Sequence, residues 1–195
     1  MRIPLVVIFS LATLSAQQIV PPGARYPFPP DPKRDPWQKP DQVIAALNFR
    51  SSETVAVIES GYPYFAPRIA GLVKTVYAVN SDPQALQGPL GSGQGFSPVI
   101  STAAGPNISS LDVDTVFMVD VLRLIPEQQR YFLGVLAGLK PTGRLVIIDR
   151  IAPPVYSTSF WITAAALKSE LSPIGFGLIQ QYTFLNYQYF LVFQR

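Results

Sequence analysis

Carboxylates are the side chains of this chain best suited to chemistry, because its 195 residues include no histidine and no cysteine. This composition excludes Ser–His and Cys–His nucleophiles, imidazole or thiolate metal ligands, and disulfides. Glu59 ends the apolar stretch TVAVIE, and Asp120 directly follows the stretch DTVFMV. If both stretches are parallel strands, the two acids share one sheet edge and could act as a general acid and base. The alternative, which we favour, is that Glu59 ends a strand at a solvated rim.

The composition indicates one globular domain with no nucleic-acid partner. Hydrophobic residues make up 48% of the chain and charged residues 14%, which is enough apolar material for a core. The formal charge is +3, and the basic residues are scattered rather than gathered into a stripe. A nucleic-acid surface needs such a cluster of positive charge. These features do not fix the oligomeric state.

Residues 1–16, MRIPLVVIFSLATLSA, have the form of a signal peptide. Arg2 supplies the positive charge, Ile3–Leu14 the apolar core, and Thr13, Ser15 and Ala16 the small residues near a cleavage point. The apolar run is shorter than the roughly 20 residues that span a bilayer. We therefore expect an exported protein, periplasmic or secreted, with no stable membrane span in the mature chain. The alternative is an uncleaved N-terminal membrane anchor.

Three zones follow one another: the signal peptide 1–16, a proline-rich arm or linker 17–40, and a domain 41–195. Prolines push the second zone toward extended geometry. In the third zone, apolar strand patterns alternate with helical ones, which predicts a parallel sheet covered on both faces. The short link LNY between the last two strands permits only antiparallel pairing. The predicted fold class is α/β: a Rossmann-like, seven-stranded, mostly parallel sheet with helices on both faces and a C-terminal antiparallel hairpin.

Local signals give finer expectations. We expect Trp37 to dock the arm on the domain, Asp41 to cap a short helix, and Pro126 to start an amphipathic helix. KPTG is predicted to turn the chain into the strand RLVIIDR. GSGQG is predicted to be a flexible loop, because it lacks the preceding strand and following helix of a phosphate-binding loop.

Several stretches together resemble class I S-adenosylmethionine (SAM)-dependent methyltransferases, of the type 11/25-like group. They are WQKPDQVIAAL, VYAVNSDPQAL, VDVLRLIP, LAGLKPTGRLVIIDR and NYQYFLVFQ, and the resemblance covers about Arg34 to Arg195. The resemblance implies that SAM is the cofactor and that the methyl acceptor is a small molecule or another, unknown acceptor. It assigns no catalytic residue and no metal. The cofactor-binding positions that it implies are Glu59, Ser60, Gly61, Asn80, Ser81 and Asp120.

The cofactor motif is degenerate in this chain. The family's turn resembles D-x-G-x-G-x-G, but Val57, Glu59 and Pro63 stand where the acid and the first and third glycines belong. Gly61 keeps the middle position. A glutamate adds a Cβ and a charge where backbone must approach the cofactor, and a proline removes an N–H donor. Asn80 replaces the acid that accepts hydrogen bonds from the ribose hydroxyls in the family.

Two functions are therefore open. The first is a SAM-dependent methyltransferase with a modified loop, in which the cofactor carries the reactive methyl group and the protein supplies positioning. The second is a non-catalytic exported protein, a pseudoenzyme, that keeps the fold as a binding or interaction module. The second would explain the lost glycines, the lost acids and the signal peptide together. A hydrolase that used Glu59 or Asp120 with water would need partner groups around that acid, and the sequence shows no such set of residues.

Overall fold

The computed structural model describes residues 33–87, 95–151 and 162–195, and the predicted signal peptide and most of GSGQG lie outside these ranges. The helices are α1 (Asp35–Gln38), α2 (Pro40–Leu47), α3 (Phe65–Ala70), α4 (Pro83–Gln87), α5 (Gln128–Gly138) and α6 (Ala164–Leu171). The strands are β1 (Thr54–Glu59), β2 (Thr75–Asn80), β3 (Phe96–Ile100), β4 (Val113–Val119), β5 (Leu139–Arg150), β6 (Gly177–Tyr182) and β7 (Gln188–Gln194). Short 3₁₀ turns follow β4 and α6.

The strands form one sheet in the order β3-β2-β1-β4-β5-β7-β6. The pairs among β1 to β5 are parallel, whereas β7 runs antiparallel to both β5 and β6. This arrangement confirms the predicted fold class, including the C-terminal hairpin. The chain adds β2 and β3 on one side of β1 and then β4 and β5 on the other, so the topology reverses between β1 and β4. In open α/β sheets, ligands bind at the carboxyl edge at such a switch point.

Apolar layers cover both faces of the sheet. On one face, Phe132 of α5 and Leu167 of α6 pack on alternate strand residues such as Ile58. On the other, Leu47 of α2 and Phe65 of α3 pack on the strand residues that point the opposite way. Because successive side chains of a strand alternate between faces, strand segments buried on both sides must be apolar, as residues 55–58 of β1 and 116–119 of β4 are.

Three local predictions were wrong. The end of the predicted extended arm forms α1, since a proline at the start of a helix costs no hydrogen bond. Asp41 is not the cap of α2, which begins one residue earlier at Pro40, after Lys39 in a left-handed conformation with φ 48°. Pro126 does not start α5, which begins at Gln128.

The segment KPTG, predicted as a turn, lies within the bounds of β5. It forms an irregularity in the pairing with β4, where the register moves from Val113↔Leu139 to Thr115↔Arg144. The rest of β5 pairs regularly with β4 and places Asp149 at the carboxyl edge of the sheet.

Gly138 closes α5 against the loop before β4, and its replacement tests this packing. A Cβ at Gly138 would lie 2.6 Å from Ile108 Cγ1 and 2.7 Å from the Ile108 backbone oxygen. The backbone oxygen cannot move aside, so we expect Gly138→Ala to lower the free energy of unfolding by about 1–3 kcal/mol. Chemical denaturation measures this loss. Gly71→Ala is the matched control, because no atom lies within 4 Å of a Cβ there; an equal loss in both variants would contradict the packing.

Candidate functional site

The predicted site residues converge at the carboxyl edge of the sheet. The register pairs Glu59 of β1 with Val119, the residue before Asp120, and Asn80 ends the neighbouring strand β2. All three polar side chains are buried: Glu59 is 4% exposed, and Asn80 and Asp120 are each 7% exposed. Ser60 is half-buried and Ser81 is exposed in the loops that follow. The structure therefore brings the predicted positions together, and their role in cofactor binding remains a prediction.

The Glu59 carboxylate holds the start of α3. Its oxygens accept hydrogen bonds from the backbone N–H groups of Tyr64 at 3.0 Å, Phe65 at 2.9 Å and Ala66 at 3.2 Å. The first N–H groups of a helix have no partners within the helix, and an anionic side chain satisfies them well. The Glu59 side chain is thus bound inside the turn, and the interpretation that Glu59 ends a strand at a solvated rim was wrong.

Burial raises the pKa of Glu59 above its ordinary value, against the opposing effects of the Arg34 charge and the N–H groups of Phe65, Tyr64 and Ala66. Desolvation disfavours the charged form, whereas a neighbouring cation and hydrogen-bond donors favour it. The ionised form of Glu59 therefore depends on the charge and the N–H donors of its neighbours.

Gly61 and Asn80 connect the first two loops of the edge. Gly61 has φ +72°, a conformation that side chains rarely adopt, and a Cβ there would meet nothing within 4 Å. The backbone conformation, not space, therefore requires glycine. The Asn80 amide donates to the carbonyls of Glu59 at 2.9 Å and Gly61 at 2.8 Å, and its oxygen accepts from the N–H of Asp82 at 2.9 Å. Both amide protons of Asn80 are thus used within the protein.

Asp120 lies at the end of a chain of buried amides. One of its oxygens accepts from Gln188 Nε2 at 2.8 Å, and the Gln188 oxygen accepts from Gln38 Nε2 at 3.3 Å. Arg150 Nε lies 3.7 Å from the same carboxylate. Asp120 itself has φ +54°, and its N–H donates to Ile148 of β5 at 3.0 Å. An aspartate tolerates this left-handed conformation better than most residues.

A second buried acid, Asp149, lies beside Asp120. It accepts hydrogen bonds from the N–H groups of Leu122 at 2.9 Å and Arg150 at 2.7 Å. Burial raises the pKa of Asp149, its two N–H donors oppose this, and the charge of Asp120 adds to the rise. Burial, then Asp149 and Asp120, also raise the pKa of Tyr189. The hydroxyl of Tyr189 is therefore less acidic than an ordinary tyrosine hydroxyl.

The N-terminal segment Lys33–Lys39 packs against part of this edge, at Tyr64 and Gln188. Its Arg34 guanidinium lies 3.9 Å from the centre of the Tyr64 ring, and that of Arg68 lies 3.9 Å from the same centre. The Tyr64 hydroxyl donates to Asp35, and Arg34 donates to Gln38. Cation–π contacts and the fully buried Gln38 thus fasten the segment to the first loop and to the Asp120 chain.

Sequence reasoning missed Gln38, Gln188 and Asp149. Asp149 had a signal, because it follows the apolar run of a predicted strand in LKPTGRLVIID just as Asp120 does. Gln38 and Gln188 had none, since they are 150 residues apart and neither stands in a recognisable motif.

A separate polar cluster lies at the opposite, amino edge of the sheet. Glu53 accepts from Thr115 at 3.2 Å and Arg144 at 3.3 Å, and Asp114 accepts from the N–H of Thr54 at 2.8 Å and from Lys140 at 2.9 Å. Its groups pair with one another and tie β1, β4 and β5 together. We infer that this cluster stabilises the fold.

Among the residues that the structure describes, no three acids lie close enough together to hold a metal ion. Over the same residues, the helices are too short or too polar to cross a bilayer.

Comparison with known proteins identifies the fold. No family model matches the chain, and no curated protein matches it in sequence. A SAM-dependent methyltransferase from Aquifex aeolicus superimposes with a TM-score of 0.72 at 17% identity, covering 84% of this chain and 93% of that one. One from Mesorhizobium loti gives a TM-score of 0.66 at 13% identity, covering 79% and 96%. Magnesium protoporphyrin IX methyltransferase from Synechocystis PCC 6803, solved with bound SAM, gives 0.61 at 19% identity, covering 82% and 79%. The fold is therefore that of SAM-dependent class I methyltransferases.

Replacing Glu59 by glutamine tests its hold on α3. Glu59→Gln keeps the size of the side chain but turns one acceptor oxygen into a donor that faces N–H groups. We expect the free energy of unfolding to fall by about 1–3 kcal/mol, because buried donors are left without partners. Thermal unfolding measures the change. Glu127→Gln is the control, since the Glu127 side chain is exposed and forms a surface pair with Arg130; a Glu59 variant as stable as this control would contradict the assigned role.

The amino-edge cluster predicts a pH dependence. Burial alone would raise the pKa of Asp114, but hydrogen bonds from Thr54 and Lys140 and the Lys140 charge outweigh it and lower the pKa. A lowered pKa means that ionised Asp114 stabilises the fold above the unfolded value, about 3.9, and that this contribution is lost as the pH falls through the folded value. We expect Asp114→Asn to cost on the order of 1 kcal/mol at pH 7 and less at pH 3.

Denaturation curves at the two pH values measure the difference for Asp114→Asn. Asp112→Asn, two residues away and exposed, is the control. A cost for Asp114→Asn that stayed constant with pH would rule out the ionised pair as its source.

Proposed function

We propose that this protein is an exported, non-catalytic descendant of SAM-dependent methyltransferases that serves as a binding module. The observation that carries this proposal is the Glu59 carboxylate, which accepts three backbone N–H groups at the turn where the family brings backbone close to SAM. The groups that a cofactor would meet there are already satisfied by the protein.

The other cofactor positions support the same proposal. Both amide protons of Asn80 are donated to loop carbonyls, and its oxygen already accepts from Asp82. An amide so engaged is a weaker acceptor for ribose hydroxyls than the carboxylate of the family. The residues present therefore do not match what SAM binding in the family requires, and we derive no methyl-transfer step.

The N-terminal segment supports it further. Fully buried Gln38 reaches Asp120 through Gln188, so this segment and the edge of the sheet form one polar network. A buried network with every member paired is stable, and a ligand that displaced one member would leave the others without partners. The sequence of residues 1–16 supports export from the cytoplasm. SAM is a cytoplasmic metabolite, so an exported protein would meet little of it.

A second candidate function is a SAM-dependent methyltransferase with an unknown acceptor. Gly61 favours it, because it keeps a left-handed backbone conformation with open space around it, as a cofactor turn requires. In this case, the loop would bind SAM through Gly61 and its neighbours, while the Glu59 carboxylate kept its hydrogen bonds to the start of α3.

Calorimetric titration separates the two functions. SAM and S-adenosylhomocysteine are titrated into the chain beginning at Gln17, which retains every described residue. We expect no binding at millimolar ligand. Micromolar binding would overturn the proposal and establish the second candidate.

The double variant Glu59→Gly, Pro63→Gly is titrated alongside. Restoring both glycines removes the internal carboxylate and returns an N–H donor, so binding regained in this variant alone would show that the two substitutions block the cofactor. Circular dichroism confirms that each chain is folded. Gly71→Ala, remote from the turn, controls for nonspecific effects of substitution.

A further inference from the structure

Large apolar side chains are exposed along the carboxyl edge of the sheet. Ile100 (44% exposed) ends β3, and the others lie in loops or turns beside β1, β4, β5 and β7: Tyr62 (62%), Leu124 (54%), Ile151 (52%) and Tyr187 (65%). We call these five residues the edge patch. At the usual strand spacing of about 4.8 Å, they span roughly 24 Å across the sheet. A run of exposed apolar residues along one edge is typical of an interaction surface.

At β4 and β5, cations accompany the apolar residues and the acids that end these strands are turned inward, whereas Asp82 after β2 and Glu127 after Leu124 are exposed. Arg123 precedes Leu124 and Arg150 precedes Ile151, and both arginines are exposed. Asp120 and Asp149, the acids that end the same two strands, are buried. Ile151 donates its N–H to Tyr187 O at 3.0 Å, which joins the β5 and β7 parts of the patch. This part of the edge thus presents apolar and positively charged groups to solvent.

The N-terminal chain leaves the described domain at the same edge. Gln38 and Arg34 contact Gln188 and Tyr64 there, so whatever precedes Lys33 starts from this side. Residues 15–32 separate Lys33 from the apolar segment Ile3–Leu14. A connection of this length reaches about 60 Å at most. An N-terminus held in a bilayer would therefore keep the edge patch within reach of the lipid surface.

We propose that the edge patch docks on a membrane surface that carries anionic lipids. Tyr62 and Tyr187 have the apolar ring and polar tip that suit the interface, and Leu124 and Ile151 would enter it. Arg123 and Arg150 would lie against the headgroups, where each positive charge adds to binding. This function is independent of whether the edge binds SAM, so the calorimetric result does not decide it.

Vesicle co-sedimentation tests the proposal. The chain beginning at Gln17 is used, because it lacks the apolar segment Ile3–Leu14 and so cannot bind through it. It is mixed with phosphatidylcholine vesicles that contain or lack phosphatidylglycerol. We expect stronger partitioning to the anionic vesicles. Arg123→Gln should reduce it about fivefold, and the double variant Leu124→Gln, Ile151→Gln about tenfold.

The matched control is Leu133→Gln, Ile179→Gln. Leu133 and Ile179 are 51% and 55% exposed, close to the values of Leu124 and Ile151, but they lie on α5 and β6 away from the edge. This variant should bind like the native chain. Equal losses in both double variants, equal binding to both kinds of vesicle, or no binding would each overturn the proposal. Thermal unfolding of every variant separates lost binding from lost folding.

Discussion

A buried carboxylate must find donors, and the Glu59 side chain finds them in the first turn of α3. This contact determines much of the surrounding geometry. It fixes where α3 begins relative to β1, and so it fixes the path of the loop through Gly61. The loop carbonyls are then placed to receive the Asn80 amide, which ties β1 to β2. Because burial of the acid is costly, the positive charge of Arg34 nearby also becomes part of the arrangement.

Arg34 links this contact to the N-terminal segment. Its guanidinium contacts the Tyr64 ring, and it donates to Gln38, which reaches Asp120 through Gln188. One short segment that precedes the first strand thus contributes to the surroundings of two acids on neighbouring strands, through the Arg34 charge near Glu59 and the Gln38–Gln188 hydrogen bond behind Asp120. Such a network is stable as a unit, because removing one member leaves the remaining buried polar groups without partners. The packing of this segment against part of the edge is therefore coupled to the acids that lie there.

The fold could be predicted from sequence, and the contacts at the edge could not. Apolar runs of strand length between helical patterns, and the short LNY link, fix a mixed sheet whatever its detailed contacts. The direction of the Glu59 side chain depends on the dihedral angles of a turn, which residue types alone leave open. The pairing of Gln38 with Gln188 depends on tertiary structure across 150 residues. α1 was missed because prolines favour both an extended arm and a first helical turn.

Charge is sorted at this edge in a way that limits what can bind. Glu59, Asp120 and Asp149 point inward and are held by N–H groups, amides and arginines. An anionic ligand that approached the start of α3 would meet a carboxylate in place of donors, and like charges repel most where water is excluded. Outside this layer, Arg123 and Arg150 are exposed beside Leu124 and Ile151. An anionic partner is therefore disfavoured within the turn, whereas at the rim Arg123 is exposed and Arg150, which lies 3.7 Å from Asp120, is partly exposed. An extended anionic surface meets only the rim, whereas a small anion would have to enter the turn to reach the start of α3.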